Sequence, residues 1–168
     1  DIDYGFAEAK TTYGIIGVKD GVQFGSTDVY LEGRRATIRS QETNLGNLSA
    51  DANLYYAKQT DPGVTIAIKN GGGIRDSIGS IAPDGSEQPP VANPDANKQA
   101  GEVSQLDIEN SLRFNNALSL VTLTPQQLLE ALENGVSNPG GIFAHVGGLR
   151  FSYDSSLPVG NRVQTVAL

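Results

Sequence analysis

The sequence predicts an α+β fold in which helices flank a mixed β-sheet. Three observations favour this class: an apolar run of strand-forming residues at 64–68, two segments with helical spacing and capping residues, and two alternating segments near the end of the chain. With 168 residues, 38% of them hydrophobic, the chain can bury the core of about one domain.

Residues 1–26 are rich in glycine and weakly patterned, so we interpret them as a lead-in segment with room for one short helix. The domain proper is predicted to span residues 27–168. It opens with a short strand at residues 27–33, which ends in a turn.

The first long helix is predicted at residues 43–60, where Thr43 or Asn44 can serve as the N-cap. Apolar residues recur there at spacings of three, four and three residues, which predicts one buried helix face. These residues are Leu45, Leu48, Ala52 and Tyr55. The run at 64–68 follows, and its continuous apolar character predicts a strand buried on both faces.

The segment at 80–102 differs in composition, since it holds four of the eight prolines and few apolar residues. We interpret it as a Pro-rich, irregular surface insertion, because sequence typical of regular elements resumes on both sides. Asp84 and Asp95 suggest a calcium loop as an alternative, but the spacing of an EF-hand loop is absent.

A second helix is predicted at residues 124–134, after a strand at 119–123. Its signals are local and complete: Thr124 as N-cap, Pro125 in the first turn, and Gln127 as the capping-box partner. Gly135 is expected to end the helix.

Two alternating segments at 149–153 and 162–168 predict a final pair of strands. A Pro-Val-Gly-Asn sequence between them is typical of a tight turn.

Composition excludes several classes of function. The net charge of −7 argues against nucleic acid or a membrane surface as a partner held by bulk electrostatics. The absence of cysteine excludes disulfides, thiolate metal sites and a cysteine nucleophile. The single histidine, His145, leaves few options for zinc or a Ser-His-Asp triad, and we expect it to pack or bond locally. No apolar run approaches the ~20 residues of a membrane-spanning helix.

The most unusual stretch is "KNGGGIRDS" at residues 69–77, where three glycines lie between Asn70 and Arg75. It lacks the Gly-Lys-Ser/Thr ending of a Walker loop, and Asp76 replaces the further glycine of a dinucleotide fingerprint. The glycines either form a plain turn with positive φ, or they let the backbone approach a ligand at which Asn70 and Arg75 point.

Arg34, Arg35 and Arg39 form a local positive spot on this acidic chain, which suits a small anion. The alternative is that Arg35 and Arg39 are solvated charges near Glu32 and Glu42.

Four separated stretches, taken in order, resemble the C-terminal domain of the 5'-nucleotidase and UDP-sugar hydrolase family, and the resemblance covers about residues 27–168. The stretches are "RSQETNLGNLSADA" at 39–52, "NGGGIRDSI" at 70–78, "LRFNNALSLVTLTPQQLLEALENGV" at 112–136 and "GGLRFSYDSSLPVGNRV" at 147–163. The implied fold is that of a 5'-nucleotidase C-terminal domain.

In that family an N-terminal calcineurin-like domain binds two divalent metal ions and hydrolyses the phosphoester, while the C-terminal domain holds the nucleotide. The resemblance therefore implies a substrate-recognition domain with no catalytic residue, metal ligand or cofactor of its own. Its implied partners are a nucleotide or nucleotide-sugar substrate and the N-terminal metallophosphatase domain of the same polypeptide. A periplasmic or secreted location is implied as well. The alternatives are a non-catalytic binding or scaffold module, and a hydrolase for cyclic nucleotides or other phosphoesters.

Carried over by position, the resemblance assigns a set of substrate-binding residues: Arg35, Arg39, Asn70, Gly72, Gly73, Arg75 and Phe114. Guanidinium groups pair with phosphate oxygens, and an aromatic ring stacks on any base. Arg113 stands where many members have proline, which puts the entry to that loop in doubt. From the sequence alone, Phe114 could equally belong to the core, and Asn70 could cap the glycine turn.

Family members continue past the last predicted strand into a Gly-Gly-Asp-Gly-aromatic motif, which supplies a second stacking ring. The sequence lacks that motif. The domain is therefore expected to be incomplete at its C-terminal end, and the chain alone to be inactive and to bind nucleotide weakly or not at all.

Overall fold

The structure, a computed structural model, describes residues 14–168. The regular elements follow in this order: β1 (Gln23–Ser26), α1 (Asn44–Thr60), β2 (Ala67–Asn70), β3 (Ser80–Ile81), β4 (Glu87–Gln88), β5 (Glu102–Ser104), α2 (Gln105–Ser111), α3 (Pro125–Gly135), β6 (Ala144–Gly147), β7 (Arg150–Tyr153) and β8 (Val163–Ala167). Short 3-10 helices form at Gly71–Gly73 and Pro94–Ala96, and residues 14–20 are helical.

The α+β class is confirmed, but the mixed sheet is not. Every ladder between the described strands is antiparallel and contains two strands: β1 with β5, β2 with β6, β3 with β4, and β7 with β8. The described residues divide into two compact units, one made of residues 14–31 with Ser77–Ser111 and the other of Glu32–Asp76 with Leu112–Leu168.

The first unit contains a buried ionic network centred on Lys98. The Lys98 Nζ donates to Asp20 Oδ1 at 2.9 Å and to Asp107 Oδ2 at 2.7 Å. Ser104 Oγ donates to Asp20 Oδ1 at 2.7 Å, and Asn93 Nδ2 donates to Asp20 Oδ2 at 2.8 Å. Burial raises the pKa of Asp20, but the hydrogen bonds from Lys98, Asn93 and Ser104 outweigh it and leave the pKa below its ordinary value.

The structure departs from one sequence expectation in this unit. The strand predicted at 27–33 is reduced to one bridge between Leu31 and Ile78, because the Thr27 hydroxyl bonds to the backbone of Val29 and turns the chain. The segment at 80–102 is largely irregular, as expected, but it contains the short β3–β4 hairpin, a 3-10 helix and the start of β5. Strand β1 lies within the predicted lead-in and pairs with β5.

In the second unit, helix α1 has its predicted N-cap but a different buried face. Thr43 accepts a hydrogen bond from the Gly46 backbone, whereas Leu48 and Tyr55 are 52% and 72% exposed. The buried residues are Leu45, Gly46, Ser49, Ala50, Leu54 and Ala57. Small side chains dominate this face, because the helix packs closely against β6. A Cβ at Gly147 would lie 3.1 Å from the Ala50 carbonyl.

The two predicted strands that flank the glycine stretch and helix α3 also differ from expectation. Residues of β2 alternate between half-buried and exposed, because β2 pairs only with β6 and has one packed face, so burial on both faces is wrong. No strand forms at 119–123, and its residues stay exposed. A strand-forming sequence needs a partner strand, and none of the described residues supplies one.

Helix α3 and the final hairpin match the sequence expectations. Thr124 and Gln127 form the reciprocal capping box, with Thr124 N donating to Gln127 Oε1 at 2.9 Å. Strands β7 and β8 pair, and Asn161 N donates to the Pro158 carbonyl in the turn between them. Within residues 14–168, no helix is both long and apolar enough to cross a membrane.

Candidate functional site

The three glycines form a 3-10 turn that continues directly from β2 in the second unit. Positive φ values occur at other glycines but not at Gly71, Gly72 or Gly73, so the interpretation as a positive-φ turn is wrong. Close packing is what requires glycine here. A Cβ at Gly71 would lie closer than 3.0 Å to the Ile38 carbonyl oxygen, and a Cβ at Gly72 would lie 2.8 Å from the backbone of Gly141.

Backbone hydrogen bonds hold the glycine turn against the segment before β6. Gly71 N donates to the Phe143 carbonyl at 2.8 Å, and Gly72 N donates to the Gly141 carbonyl at 2.9 Å. Asn70 strengthens the same junction, since its Nδ2 donates to the Gly141 carbonyl at 3.0 Å. The Asn70 side chain makes no capping bond to the turn, so that alternative is wrong.

The segment that carries Arg39 is held at two consecutive carbonyls. His145 Nε2 lies 2.9 Å from the Ile38 carbonyl oxygen, and Gly140 N donates to the Arg39 carbonyl at 2.8 Å. Of the two expectations for His145, packing is confirmed, whereas its hydrogen-bond partner is 107 residues away in sequence and is not local. The His145 ring is 1% exposed and fits against α1 only because Gly46 has no side chain.

Burial lowers the pKa of His145 below its ordinary value, although the bond to Ile38 and the charge of Glu42 act in the opposite direction. The imidazole is therefore neutral at pH 7. Because a carbonyl oxygen only accepts, Nε2 carries the proton and donates it to Ile38. The other ring nitrogen, Nδ1, is buried without a hydrogen-bond partner in the part of the chain that the structure describes.

The Arg39 guanidinium experiences the positive charges of two other arginines. Burial lowers the pKa of Arg39, and the positive charges of Arg35 and Arg75 lower it further. The Arg39 Nε is buried and has no hydrogen-bond partner among residues 14–168. Within the same range, none of the three forms an ion pair with a carboxylate.

The carboxylates that sequence analysis offered as partners are engaged elsewhere. Glu32 Oε2 accepts from Arg34 Nε at 2.7 Å, and Glu42 Oε1 accepts from Asn47 Nδ2 at 2.6 Å. Neither Glu32 nor Glu42 forms an ion pair with Arg35 or Arg39 among the described residues, and Arg35 is exposed, so the alternative of solvated charges stays open.

Phe114 lies beside this arginine cluster and is 54% exposed, so it is not a core residue. The Arg75 Cζ is 5.5 Å from the centroid of the Phe114 ring, within the range of a cation–π contact. Arg75 Nη1 also lies 3.5 Å from the Gly72 carbonyl oxygen. Arg39 thus lies within electrostatic range of Arg35 and Arg75, and Arg75 contacts Phe114, while Asn70, Gly72 and Gly73 belong to the adjoining turn and its flank.

Two clefts of about 600 Å³ and 610 Å³ also lie in the second unit, and neither is lined by these four residues. We refer to Arg35, Arg39 and Arg75 together as the arginine cluster.

Sequence reasoning missed the residues that hold the site in place, His145 above all. The available signal was Gly46, a glycine inside a helical pattern, which often marks a close approach of another element. No sequence signal connected His145 to Ile38.

Among residues 14–168, no three His, Cys, Asp or Glu side chains are grouped so that they could hold a metal ion. The two divalent metal ions that the family resemblance implies belong to an N-terminal domain, and their binding there stays a prediction.

Comparison with known proteins accounts for the fold. The family model described as "5'-nucleotidase, C-terminal domain" matches residues 23–168. The chain belongs to this family. This 5'-nucleotidase C-terminal domain is 37% identical over 147 residues to the trifunctional nucleotide phosphoesterase protein YfkN of Bacillus subtilis (strain 168), a match that covers 86% of the chain and 9% of that protein.

It is also 32% identical over 149 residues to the 5'-nucleotidase of Homo sapiens, covering 84% of the chain and 23% of that protein. The crystal structure of a 5'-nucleotidase precursor from Thermus thermophilus matches 98% of the chain and 29% of its own length, with a TM-score of 0.74 and 32% identity. This 5'-nucleotidase C-terminal domain thus spans less than a third of each of these relatives.

Proposed function

We propose that the chain is the nucleotide-recognition domain of a metal-dependent 5'-nucleotidase-type phosphohydrolase. In this proposal Arg35, Arg39 and Arg75 bind phosphate oxygens of the substrate, and Phe114 stacks on the base. The observation that carries the proposal is the arginine cluster, which has no carboxylate partner among the described residues and lies next to an exposed aromatic ring.

The cluster is electrostatically unfavourable without an anion. Like charges repel, and the positive charges of Arg35 and Arg75 add to burial in lowering the pKa of Arg39. A phosphate group offers several acceptor oxygens and a charge of opposite sign, so it would relieve the repulsion and satisfy the forked guanidinium donors. The overall charge of −7 makes such a positive spot unusual on this surface.

The exposed ring of Phe114 supports a nucleotide over a simple phosphate. Stacking a base on the half-exposed ring removes apolar surface from water, which is favourable, and every base has a π-face that can stack in this way. Because stacking does not depend on hydrogen-bonding edges, this contact recognises a base without selecting which one. The cation–π contact with Arg75 fixes the ring next to the cluster.

The remaining parts of the proposal concern the whole polypeptide. We propose that the metal ions bind in an N-terminal metallophosphatase domain, and no step of hydrolysis is assigned to the residues described here. A secreted or periplasmic location is proposed from the family resemblance.

A second candidate is a nucleotide phosphoesterase with wider substrates, including cyclic nucleotides. The name of the Bacillus subtilis relative, a trifunctional nucleotide phosphoesterase, favours it. The arginine cluster suits either activity, since both kinds of substrate present a phosphate next to a base.

The test compares Arg75→Ala with Arg150→Ala in the intact polypeptide, with adenosine 5'-monophosphate as substrate. Arg150 is an exposed arginine on β7 and serves as the matched control. Loss of a charge-assisted contact should raise KM about tenfold to a hundredfold for Arg75→Ala and leave the control unchanged. Equal kinetics for both variants would refute the proposed site. Faster turnover of a cyclic nucleotide would favour the second candidate, and no turnover of any nucleotide would favour a scaffold.

A further inference from the structure

We propose that His145 is a positioning residue for substrate binding: its Nε2–H holds the Ile38 carbonyl and thereby orients Arg39 within the arginine cluster. The inference rests on the proposed function, since it assigns how that phosphate site is preorganised. His145 lies on β6 and does not belong to the cluster itself.

The first step is the hydrogen bond. His145 Nε2 and the Ile38 oxygen are 2.9 Å apart, and both residues are almost fully buried, with exposures of 1% and 0%. A bond shielded from water is stronger than an exposed one, and its loss leaves a buried carbonyl without a partner. This bond links β6 to the turn before α1 across 107 positions of sequence.

The second step is the packing around that carbonyl. Gly71 approaches the same Ile38 oxygen so closely that no Cβ could be accommodated there. The next carbonyl, that of Arg39, accepts from Gly140 N at 2.8 Å. The peptide groups on both sides of the Arg39 Cα are therefore fixed. They define the position and direction in which the Arg39 side chain leaves the backbone.

The third step is why Arg39 needs this support. Its guanidinium is repelled by Arg35 and Arg75, and its buried Nε has no hydrogen-bond partner among the described residues. On a mobile backbone, the Arg39 side chain would adopt conformations that point away from the other two guanidinium groups when no anion is bound. Fixing the backbone beforehand removes that rearrangement from the cost of binding.

The proposed role requires a hydrogen-bond donor at the position of His145 Nε2. It requires no hydrogen bond from Nδ1. The Nδ1 atom packs against Gly46 and makes no hydrogen bond to any described residue. Glutamine places an amide N–H at a similar reach, whereas leucine fills the space and donates nothing. The pair of variants therefore separates the hydrogen bond from simple occupation of the core.

The experiment measures KM and kcat of the intact polypeptide with adenosine 5'-monophosphate for His145→Gln, His145→Leu, Arg39→Ala and the Arg39→Ala/His145→Leu double variant. We expect His145→Leu to raise KM about tenfold with little change in kcat, and His145→Gln to restore KM to within about threefold of the wild type. The double variant should match Arg39→Ala alone, because His145 acts through Arg39.

Additive effects of the two substitutions, or a KM for His145→Leu equal to that of the wild type, would overturn the inference while Arg39→Ala still raises KM. Should Arg39→Ala leave KM unchanged, the proposed function itself fails. Thermal unfolding is followed in parallel. If His145→Gln is as unstable as His145→Leu yet keeps a near-wild-type KM, the positioning role is supported independently of stability.

Discussion

The Arg75 guanidinium carbon lies 5.5 Å from the centroid of the Phe114 ring, although the two residues are 39 positions apart in sequence. This contact joins the charged part of the site to an exposed aromatic face. The ring is 54% exposed, so it contributes little to the core and has surface available for a base.

Phe114→Ala should therefore raise KM for a nucleotide about tenfold or more, since stacking on a base contributes about 1–3 kcal/mol. Its free energy of unfolding should change by less than about 0.5 kcal/mol, as for other exposed positions. Tyr55→Ala is the control, because Tyr55 is an aromatic residue 72% exposed on α1. Steady-state kinetics of the intact polypeptide check this, and an unchanged KM for Phe114→Ala would exclude base stacking.

Gly71→Ala should destabilise the chain by about 1–3 kcal/mol, because the new Cβ would overlap the Ile38 carbonyl oxygen and push the two segments apart. Gly140→Ala is the matched control: its Cβ would meet no atom within 4 Å, so its free energy of unfolding should stay equal or rise slightly. Urea denaturation of both variants measures the difference. Two similar midpoints would show that close packing is not why position 71 is glycine.

Lys98→Met should destabilise the first unit by about 3–5 kcal/mol. The substitution leaves Asp20 and Asp107 buried or half-buried without their shared cation, which costs more than the apolar side chain regains. Lys58→Met, at the exposed last turn of α1, should have almost no effect. Chemical denaturation of the two variants gives the comparison, and equal stability would show that the network contributes little.

The stability of the chain should depend on pH through His145. Its pKa in the folded state is lowered by burial, while the unfolded chain titrates near the ordinary value of about 6.5. Below that value the unfolded state binds more protons, so stability present above pH ~6.5 is lost as pH falls toward the lowered folded pKa. The slope is at most about 1.4 kcal/mol per pH unit for one proton.

Glutamine does not titrate, so the His145→Gln variant should lack this component while the carboxylates titrate equally in both proteins. Denaturation at pH 7.5 and pH 5.5 should show a larger loss for the wild type. Parallel pH profiles would mean that His145 has no shifted pKa.

Helix α3 could be predicted from the sequence because its signals are local. Thr124, Pro125 and Gln127 are neighbours, and the capping box needs no other part of the chain. The buried face of α1 could not be predicted in the same way. Spacing of large apolar residues selected Leu48 and Tyr55, whereas the helix packs through small residues that let β6 come close.

The candidate site was predictable as a set of residues but not as an arrangement. Arg39 and Arg75 were singled out by type and by family resemblance, yet their proximity depends on the approach of Gly71 to Ile38. The role of His145 could not be predicted from the sequence, because a hydrogen bond across 107 positions produces no periodic or capping pattern.

His145 is the only histidine in the 168-residue chain, and it contacts the peptide next to Arg39. A sample labelled with nitrogen-15 in histidine alone would therefore give the ring resonances of a single imidazole. Their chemical shifts distinguish a proton on Nε2 from one on Nδ1, and their line widths report exchange on the microsecond to millisecond timescale. One isotopically labelled residue would thus serve as a spectroscopic reporter for the segment that presents Arg39, without any probe attached to the surface.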